Sequence, residues 1–220
     1  MKKPNEKQIL YKNAALEAYN NSIELLKEAE ILFNSSKYAR SYALSIFGLE
    51  EFAKSFMFKC MSFDIIKDRD FHSDIRKHRE KMFHAIHIVA AFYELVRLNH
   101  IIEYSRKIDE KEPDHSKHVF PKLVKIKKEP TDKIVKMLKN AHNKRLYAIY
   151  VDLKNNKVIT PQKVVNEDGA KDLLVLLGSV IPGFDVILEE GKEKFQETIS
   201  LLDPQIFSGT MKSDFTKFKN

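Results

Sequence analysis

The chain has 220 residues, which is enough for one domain with a substantial core, and 43% of them are hydrophobic. Its single cysteine excludes a disulfide framework, and it shows no apolar stretch typical of a signal peptide or a membrane span, so we expect a cytoplasmic protein. The formal net charge of +7 is compatible with nucleic-acid binding through phosphate neutralisation, but it is not specific for it.

The first half of the chain predicts two long helices. Apolar residues recur at helical spacing from about Asn5 to Phe33. The stretch from Tyr38 to Phe63 is apolar on nearly every side, which is typical of a central helix that is covered by its neighbours. Residues 34–36 form a short turn with two serines. This turn predicts antiparallel helices, with a serine hydroxyl capping the second one.

The middle of the chain predicts a third helix, a loop and a fourth helix. Residues 72–107 suit a long helix that is basic at its start and apolar in its second half, where it can pack on the central helix. Residues 108–130 lose this periodicity and predict a long charged loop. Thr131 or Asp132 is expected to cap the fourth helix, which should end near Arg145.

A small β-hairpin is predicted near residues 147–160. Two β-rich runs flank the segment 154–157, whose two asparagines tolerate the positive φ of a tight turn. Because an isolated hairpin is only marginally stable, we expect this one to pack on a helix.

The remaining sequence predicts a last helix and a tail. Asn166 is expected to cap this helix, which should reach about Ser200 with an interruption near Pro182. The predicted organisation is therefore mainly α, with residues 1–200 as one helical domain and residues 201–220 as an irregular tail.

Three polar groups could carry chemistry. Charges within a buried helix need partners, and the spacing of those on the central helix allows local pairing. The alternative is a solvated seam where the helix reaches the surface. The three groups are Glu50, Glu51 and Lys54 on the central helix, His78, Arg79, Lys81 and His84 on the third helix, and Arg145, Tyr147, Tyr150 and Asp152 after the fourth.

Other sites have weaker signals. The histidine pairs 84/87 and 115/118 lack an acidic or sulfur pattern that would complete a metal site, so we predict neither a metal nor another cofactor. The sequence has no glycine-rich phosphate loop, nucleophile elbow or HExxH motif. Four lysines in the predicted loop belong to a solvated segment or, alternatively, contact RNA or a partner. They are Lys122, Lys125, Lys127 and Lys128.

Several of these segments together resemble the AbiV-type abortive-infection family of the HEPN superfamily. They are the first helix pair, LEEFAK at 49–54, His78 with Lys81, and RLYAIYVD at 145–152, and the resemblance covers about residues 12–195. It implies an antiparallel HEPN-like helical bundle that forms a homodimer. It also implies a role in phage defence. Because many HEPN domains are metal-independent endoribonucleases, the expected activity is an RNA cleavage of this type that blocks translation.

The superfamily signature is an arginine, four to six residues and then a histidine. Arg79 and His84 match this spacing, but on the third helix, whereas the superfamily usually places the motif on a later one. At the later position, Arg145 is followed by Tyr150 where histidine is expected. The sequence leaves both pairs open, and we favour a shared site around the second. Its members would be Glu51, Lys54, His78, Lys81, Arg145 and Tyr150.

Such a site would cleave RNA when a base takes the proton of a ribose 2′-hydroxyl, which then attacks the adjacent phosphate. A histidine, with an ordinary pKa of about 6.5, suits this step better than Tyr150, since tyrosine has an ordinary pKa of about 10. The alternative hypothesis is a non-catalytic HEPN-like module that binds RNA or a phage or host protein. Catalysis requires an open cleft with an available imidazole, whereas the binding module predicts that the charges pair with one another.

Overall fold

The structure is a computed structural model. It describes residues 5–65, 85–90, 92–93, 129–155 and 157–200. These residues are mostly helical and include one two-stranded antiparallel sheet, as the sequence predicted. Most of the predicted third helix at 72–107, most of the predicted loop at 108–130 and the predicted tail at 201–220 lie outside the described residues.

The first two helices have nearly the predicted bounds. Helix α1 spans Glu6–Asn34 and begins with a capping box, in which Asn5 accepts from the backbone N–H of Gln8 and the Gln8 side chain accepts from that of Asn5. Helix α2 spans Tyr38–Ser62.

The prediction that a serine caps α2 was wrong. Lys37 occupies the cap position and makes no side-chain capping hydrogen bond. The Ser35 hydroxyl instead donates to the carbonyl of Ile31 at the end of α1, and Ser36 adopts a φ of 58°. The two serines therefore end the first helix rather than begin the second.

Small residues let α1 and α2 approach closely. A Cβ atom on Gly48 would lie 3.2 Å from the carbonyl oxygen of Ser22. Further along the same interface, the buried Ser55 hydroxyl donates to the carbonyl of Ala15 over 2.7 Å. Buried residues of α1 and α2 belong to one hydrophobic core, which also includes residues of the helical segment 85–90. This segment lies in the apolar half of the predicted third helix, which was expected to pack on the central helix.

Helix α3 spans Glu129–Lys144, so it begins two residues before the predicted cap. Thr131 and Asp132, the predicted caps, therefore lie within the first turn of the helix. Residues 145–150 then form consecutive turns, although the sequence predicted a strand from residue 147. The amides of Ala148 and Tyr150 donate to carbonyls four residues earlier, which keeps this segment coiled like the helix before it.

The hairpin is shorter than predicted. Strand β1 covers Asp152–Lys154 and pairs antiparallel with β2, Lys157–Ile159. Asn155 in the turn has a φ of 51°, the left-handed conformation that was expected of an asparagine there.

The last predicted helix is divided into several pieces. Asn166 caps the longest piece, as predicted, by accepting from the backbone N–H of Gly169 over 3.1 Å. The interruption predicted near Pro182 is a 3-10 turn. The helices are α4 at Pro161–Val164, α5 at Glu167–Val180, α6 at Asp185–Glu189 and α7 at Lys192–Ser200, with the 3-10 turn at Pro182–Phe184.

A buried lysine and an aromatic cluster join these last elements to α2. The Phe184 ring lies 5.0 Å from that of Phe52, between centroids, and the Phe195 ring lies 6.0 Å from that of Phe56. Lys59 is only 1% exposed, and its ammonium group donates to the carbonyls of residues 188 and 190 at the end of α6. A cation is favourable there because it meets the negative end of the helix dipole.

Within the described residues, no helix combines the length and the apolar character needed to cross a membrane.

Candidate functional site

A buried ion pair connects α2 to the segment that follows α3. Glu50 lies in the middle of α2 and is 3% exposed, while Arg145 directly follows α3 and is 7% exposed. The Arg145 Nη1 atom donates to Oε1 of Glu50. Burying two charges is costly unless they compensate each other, so this pairing explains how both side chains can leave water.

The environment of Arg145 also fixes the orientation of its guanidinium group. The central guanidinium carbon lies 5.9 Å from the centroid of the Phe47 ring, within the range of a cation–π interaction. Among the described residues, the buried Nε atom has no hydrogen-bond partner. The Nη1 atom is therefore bonded to Glu50, whereas the buried Nε–H group has no acceptor among the described residues.

A cavity of about 480 Å³ lies next to this ion pair, and we call it the Arg145 cavity. It is formed by the last turn of α3, the turns at 145–150 and the start of β1. Its polar and aromatic lining residues are His142, Asn143, Arg145, Tyr147, Tyr150 and Asp152. Tyr150 is 62% exposed, and Tyr147 is half-buried.

The structure brings together only some of the predicted site residues. Arg145 and Tyr150 line the same cavity. Glu51 and Lys54 form an ion pair with each other, both half-buried on α2, and they are not among the lining residues. The local pairing expected of Glu50 is replaced by its contact with Arg145.

The other predicted site residues cannot be placed, because they lie outside the described residues. They are His78, Lys81, the alternative pair Arg79 and His84, and the loop lysines Lys122, Lys125, Lys127 and Lys128.

His142 lines the cavity but is not among the site residues predicted from the sequence. It lies three residues before Arg145, and its side chain lines the same cavity. The available signal was the spacing, because residues three apart at the end of a helix lie on the same side. This signal is weak in a chain with eight histidines.

The described residues offer no alternative metal or thiol chemistry. Within them, no three His, Cys, Asp or Glu residues are grouped so that they could hold a metal ion. Cys60 is fully buried, and this burial raises the pKa of its thiol. A thiol in that environment stays protonated and is a poor nucleophile.

The ion pair and the cavity both lie in the part of the chain that matches a known protein family. The HEPN family model described as AbiV matches residues 10–181. This span contains most of α1, all of α2 to α5 and the hairpin, and therefore both Glu50 and Arg145. Neither the comparison with curated proteins nor the comparison with solved structures found a match.

Proposed function

The chain belongs to the AbiV family of HEPN-type abortive-infection proteins, and we propose that it acts in phage defence by binding RNA at the Arg145 cavity. The observation that carries this proposal is the oriented guanidinium group of Arg145 beside an exposed tyrosine.

Arg145 is suited to bind a phosphate of the RNA backbone. A guanidinium group presents its donors in a planar fork that matches phosphate oxygens. Glu50 holds the Nη1 side of this fork, so the group is oriented before a ligand arrives.

Tyr147 and Tyr150 are suited to bind the bases. Both line the cavity, and Tyr150 exposes most of its ring. Single-stranded RNA is commonly held by aromatic side chains on which bases stack, and each stacked base contributes about 1–3 kcal/mol to binding. The net charge of +7 favours the approach of a polyanion.

The pairing of the charged residues with one another favours RNA binding over RNA cleavage. Glu50 pairs with Arg145, and Glu51 pairs with Lys54, which is what the hypothesis of a binding module predicts. Tyrosine at the position of the motif histidine is also a poor general base, because its ordinary pKa of about 10 leaves it protonated at neutral pH.

The test is the affinity for a fluorescently labelled single-stranded RNA, measured by anisotropy at a fixed salt concentration. Loss of one stacked base in Tyr150→Ala should weaken binding roughly 5- to 150-fold. The matched control is Val186→Ala, which shortens an exposed side chain on α6 that is not among the lining residues. Equal affinities of Tyr150→Ala and the unchanged protein would overturn the proposal.

A second candidate function is metal-independent RNA cleavage, and the position of His142 favours it. This imidazole lines the cavity with Arg145 and Tyr150. It could take the proton of a ribose 2′-hydroxyl while that oxygen attacks the phosphorus. The bond from the phosphorus to the 5′-oxygen breaks, and this oxygen takes a proton from water to become a 5′-hydroxyl. Arg145 would stabilise the charge that develops on the phosphate oxygens.

Cleavage is tested by incubating the protein with total RNA and transfer RNA in EDTA and mapping the new ends. Ends with 2′,3′-cyclic phosphate that disappear in His142→Gln would establish this activity. His78→Ala and His84→Ala, made in parallel, ask whether a histidine outside the described residues is the base. RNA that is bound and left intact by the unchanged protein would argue against cleavage.

A further inference from the structure

A second cavity, of about 300 Å³, is formed by α2, α3 and the start of α5. We call it the Tyr42 cavity. Its polar lining residues include Tyr42, Lys133, Lys136, Asn140, Lys144 and Asp172. It shares none of its lining residues with the Arg145 cavity.

The lysines make this cavity basic. Lys133, Lys136 and Lys144 are exposed along one side of α3, and none forms an ion pair within the described part of the chain. The lining contains three lysines and one carboxylate, that of Asp172, so its formal charge is +2. An anion is therefore the ligand that the charge favours.

Tyr42 contributes a hydroxyl donor to the cavity, independently of the lysines. Its side chain lines the cavity although the residue is only 6% exposed, and its hydroxyl has no hydrogen bond with any residue that the structure describes. Burial raises the pKa of Tyr42 to about 12, so the hydroxyl keeps its proton and can act as a donor. An acceptor on a ligand in the cavity would give this hydroxyl a partner that no described residue supplies.

The start of α5 adds to the preference for an anion. Asn166 and Gly169, which form the cap of this helix, both line the cavity. The helix has 14 residues, and its positive dipole end faces the same space as the lysines, although Glu167 and Asp168 in its first turn offset part of this charge.

We infer that the Tyr42 cavity binds the phosphate group of a nucleotide. The lysines would neutralise the phosphate, and the Tyr42 hydroxyl would donate to one of its oxygens. The volume of the cavity is at the lower end for small-molecule sites and suits a group about the size of one nucleotide. The phosphate could belong to a free nucleotide or to the 5′ end of an RNA. The site does not depend on RNA binding at the Arg145 cavity.

Isothermal titration calorimetry of the full chain tests this inference, with AMP and inorganic phosphate as probes. We expect saturable binding of AMP that Tyr42→Phe weakens at least 10-fold, because the ring stays and only the donor to a charged group is lost. Lys136→Gln should also weaken binding, whereas Lys192→Gln, an equal charge change on α7, should not. Thermal melting of each variant verifies that it is folded.

Two short RNAs that differ only in a 5′-phosphate or a 5′-hydroxyl distinguish the sources of the ligand. Tyr150→Ala should leave AMP binding unchanged, so a failure of the Arg145 proposal remains distinct from a failure of this one. The inference is overturned if neither AMP nor the 5′-phosphorylated RNA binds saturably. It is also overturned if Tyr42→Phe binds as tightly as the unchanged protein, or if Lys192→Gln weakens binding as much as Lys136→Gln.

Discussion

Glu50 and Glu51 are adjacent in the sequence, yet they have different structural roles. Glu50 points into the core and compensates Arg145, whereas Glu51 pairs with Lys54 where both are partly in contact with water. The energy of an ion pair depends strongly on this difference. Breaking a buried pair leaves one charge without compensation, while a partly exposed pair is replaced by water at little cost.

We therefore predict that Glu50→Gln lowers the free energy of unfolding by about 3–5 kcal/mol. Glu51→Gln, the matched control one residue away, should lower it by less than about 1 kcal/mol. Urea denaturation followed by circular dichroism measures both values. If the two variants were equally stable, the Glu50–Arg145 pair would not be the structural contact that we describe.

Lys59 predicts a dependence of stability on pH. Burial, with a smaller contribution from Lys12, lowers the pKa of Lys59 to about 8 from its ordinary value of 10.5. Between these two values the unfolded chain binds more protons than the folded one, so the free energy of unfolding should rise with pH. The expected gain from pH 7.5 to 9.5 is about 1–2 kcal/mol.

The comparison with Lys59→Met isolates this contribution, since methionine has a similar length and no charge. Urea denaturation at pH 7.5 and 9.5 should show the gain in the unchanged protein and a smaller or absent gain in the variant. The same gain in both proteins would show that other groups cause it.

The sequence could reveal the local pairing of Glu51 with Lys54, because their spacing on one helix determines it. It could not reveal the partners of Glu50 and Lys59. These partners lie 95 and about 130 residues away, and only the folded arrangement of the helices brings them together. For the same reason, neither the Arg145 cavity nor the Tyr42 cavity could be predicted as a set of residues.

At the scale of elements, two glycines in helices give opposite predictions. An alanine is favoured over glycine in a helix interior by about 1 kcal/mol. At Gly178, where a Cβ would have no neighbour within 4 Å, Gly178→Ala should raise the free energy of unfolding by about 0.5–1 kcal/mol. At Gly48, a Cβ would press on the backbone of α1, so Gly48→Ala should lower it.

The melting temperatures of the two glycine variants, measured side by side, check this pair of predictions. A gain of similar size in both would mean that α1 can move away from α2 without cost, which would contradict the close contact between these helices.

The elements that the sequence predicted well have strong local signals. The apolar periodicity marks α1 and α2, and the asparagines at 155 and 166 mark a turn and a cap. The segment 147–151 was predicted as a strand from its aromatic and β-branched residues. Its backbone forms turns instead, because the burial of Arg145 and the hydrogen bonds back to α3 override this local preference.

At the scale of the whole molecule, the prediction that the hairpin packs on a helix finds no support within the described residues. Leu153 is 73% exposed, and its partner across the strands, Val158, is also exposed. A two-stranded hairpin with exposed apolar side chains is marginally stable by itself. The homodimer that the family resemblance implies would cover these side chains, and it remains a proposal.

Sedimentation velocity of the purified chain tests this proposal. We expect a mass near twice the 25.7 kDa of one chain. Leu153→Asp should shift the population toward the monomer if the hairpin lies in the interface, and Val186→Asp, at an exposed apolar position on α6, is the control. A monomer at concentrations of tens of micromolar would contradict the dimer.

The aromatic cluster and Lys59 limit how far the C-terminal end of the chain can be shortened. The family match ends at residue 181, but Phe184 and Phe195 complete the core, and the acceptors of Lys59 are carbonyls at 188 and 190. A chain shortened to the matched residues would lose the acceptors of Lys59 and would expose Phe52 and Phe56 on α2. We therefore expect the matched stretch by itself to be less stable than a chain that continues through Phe195.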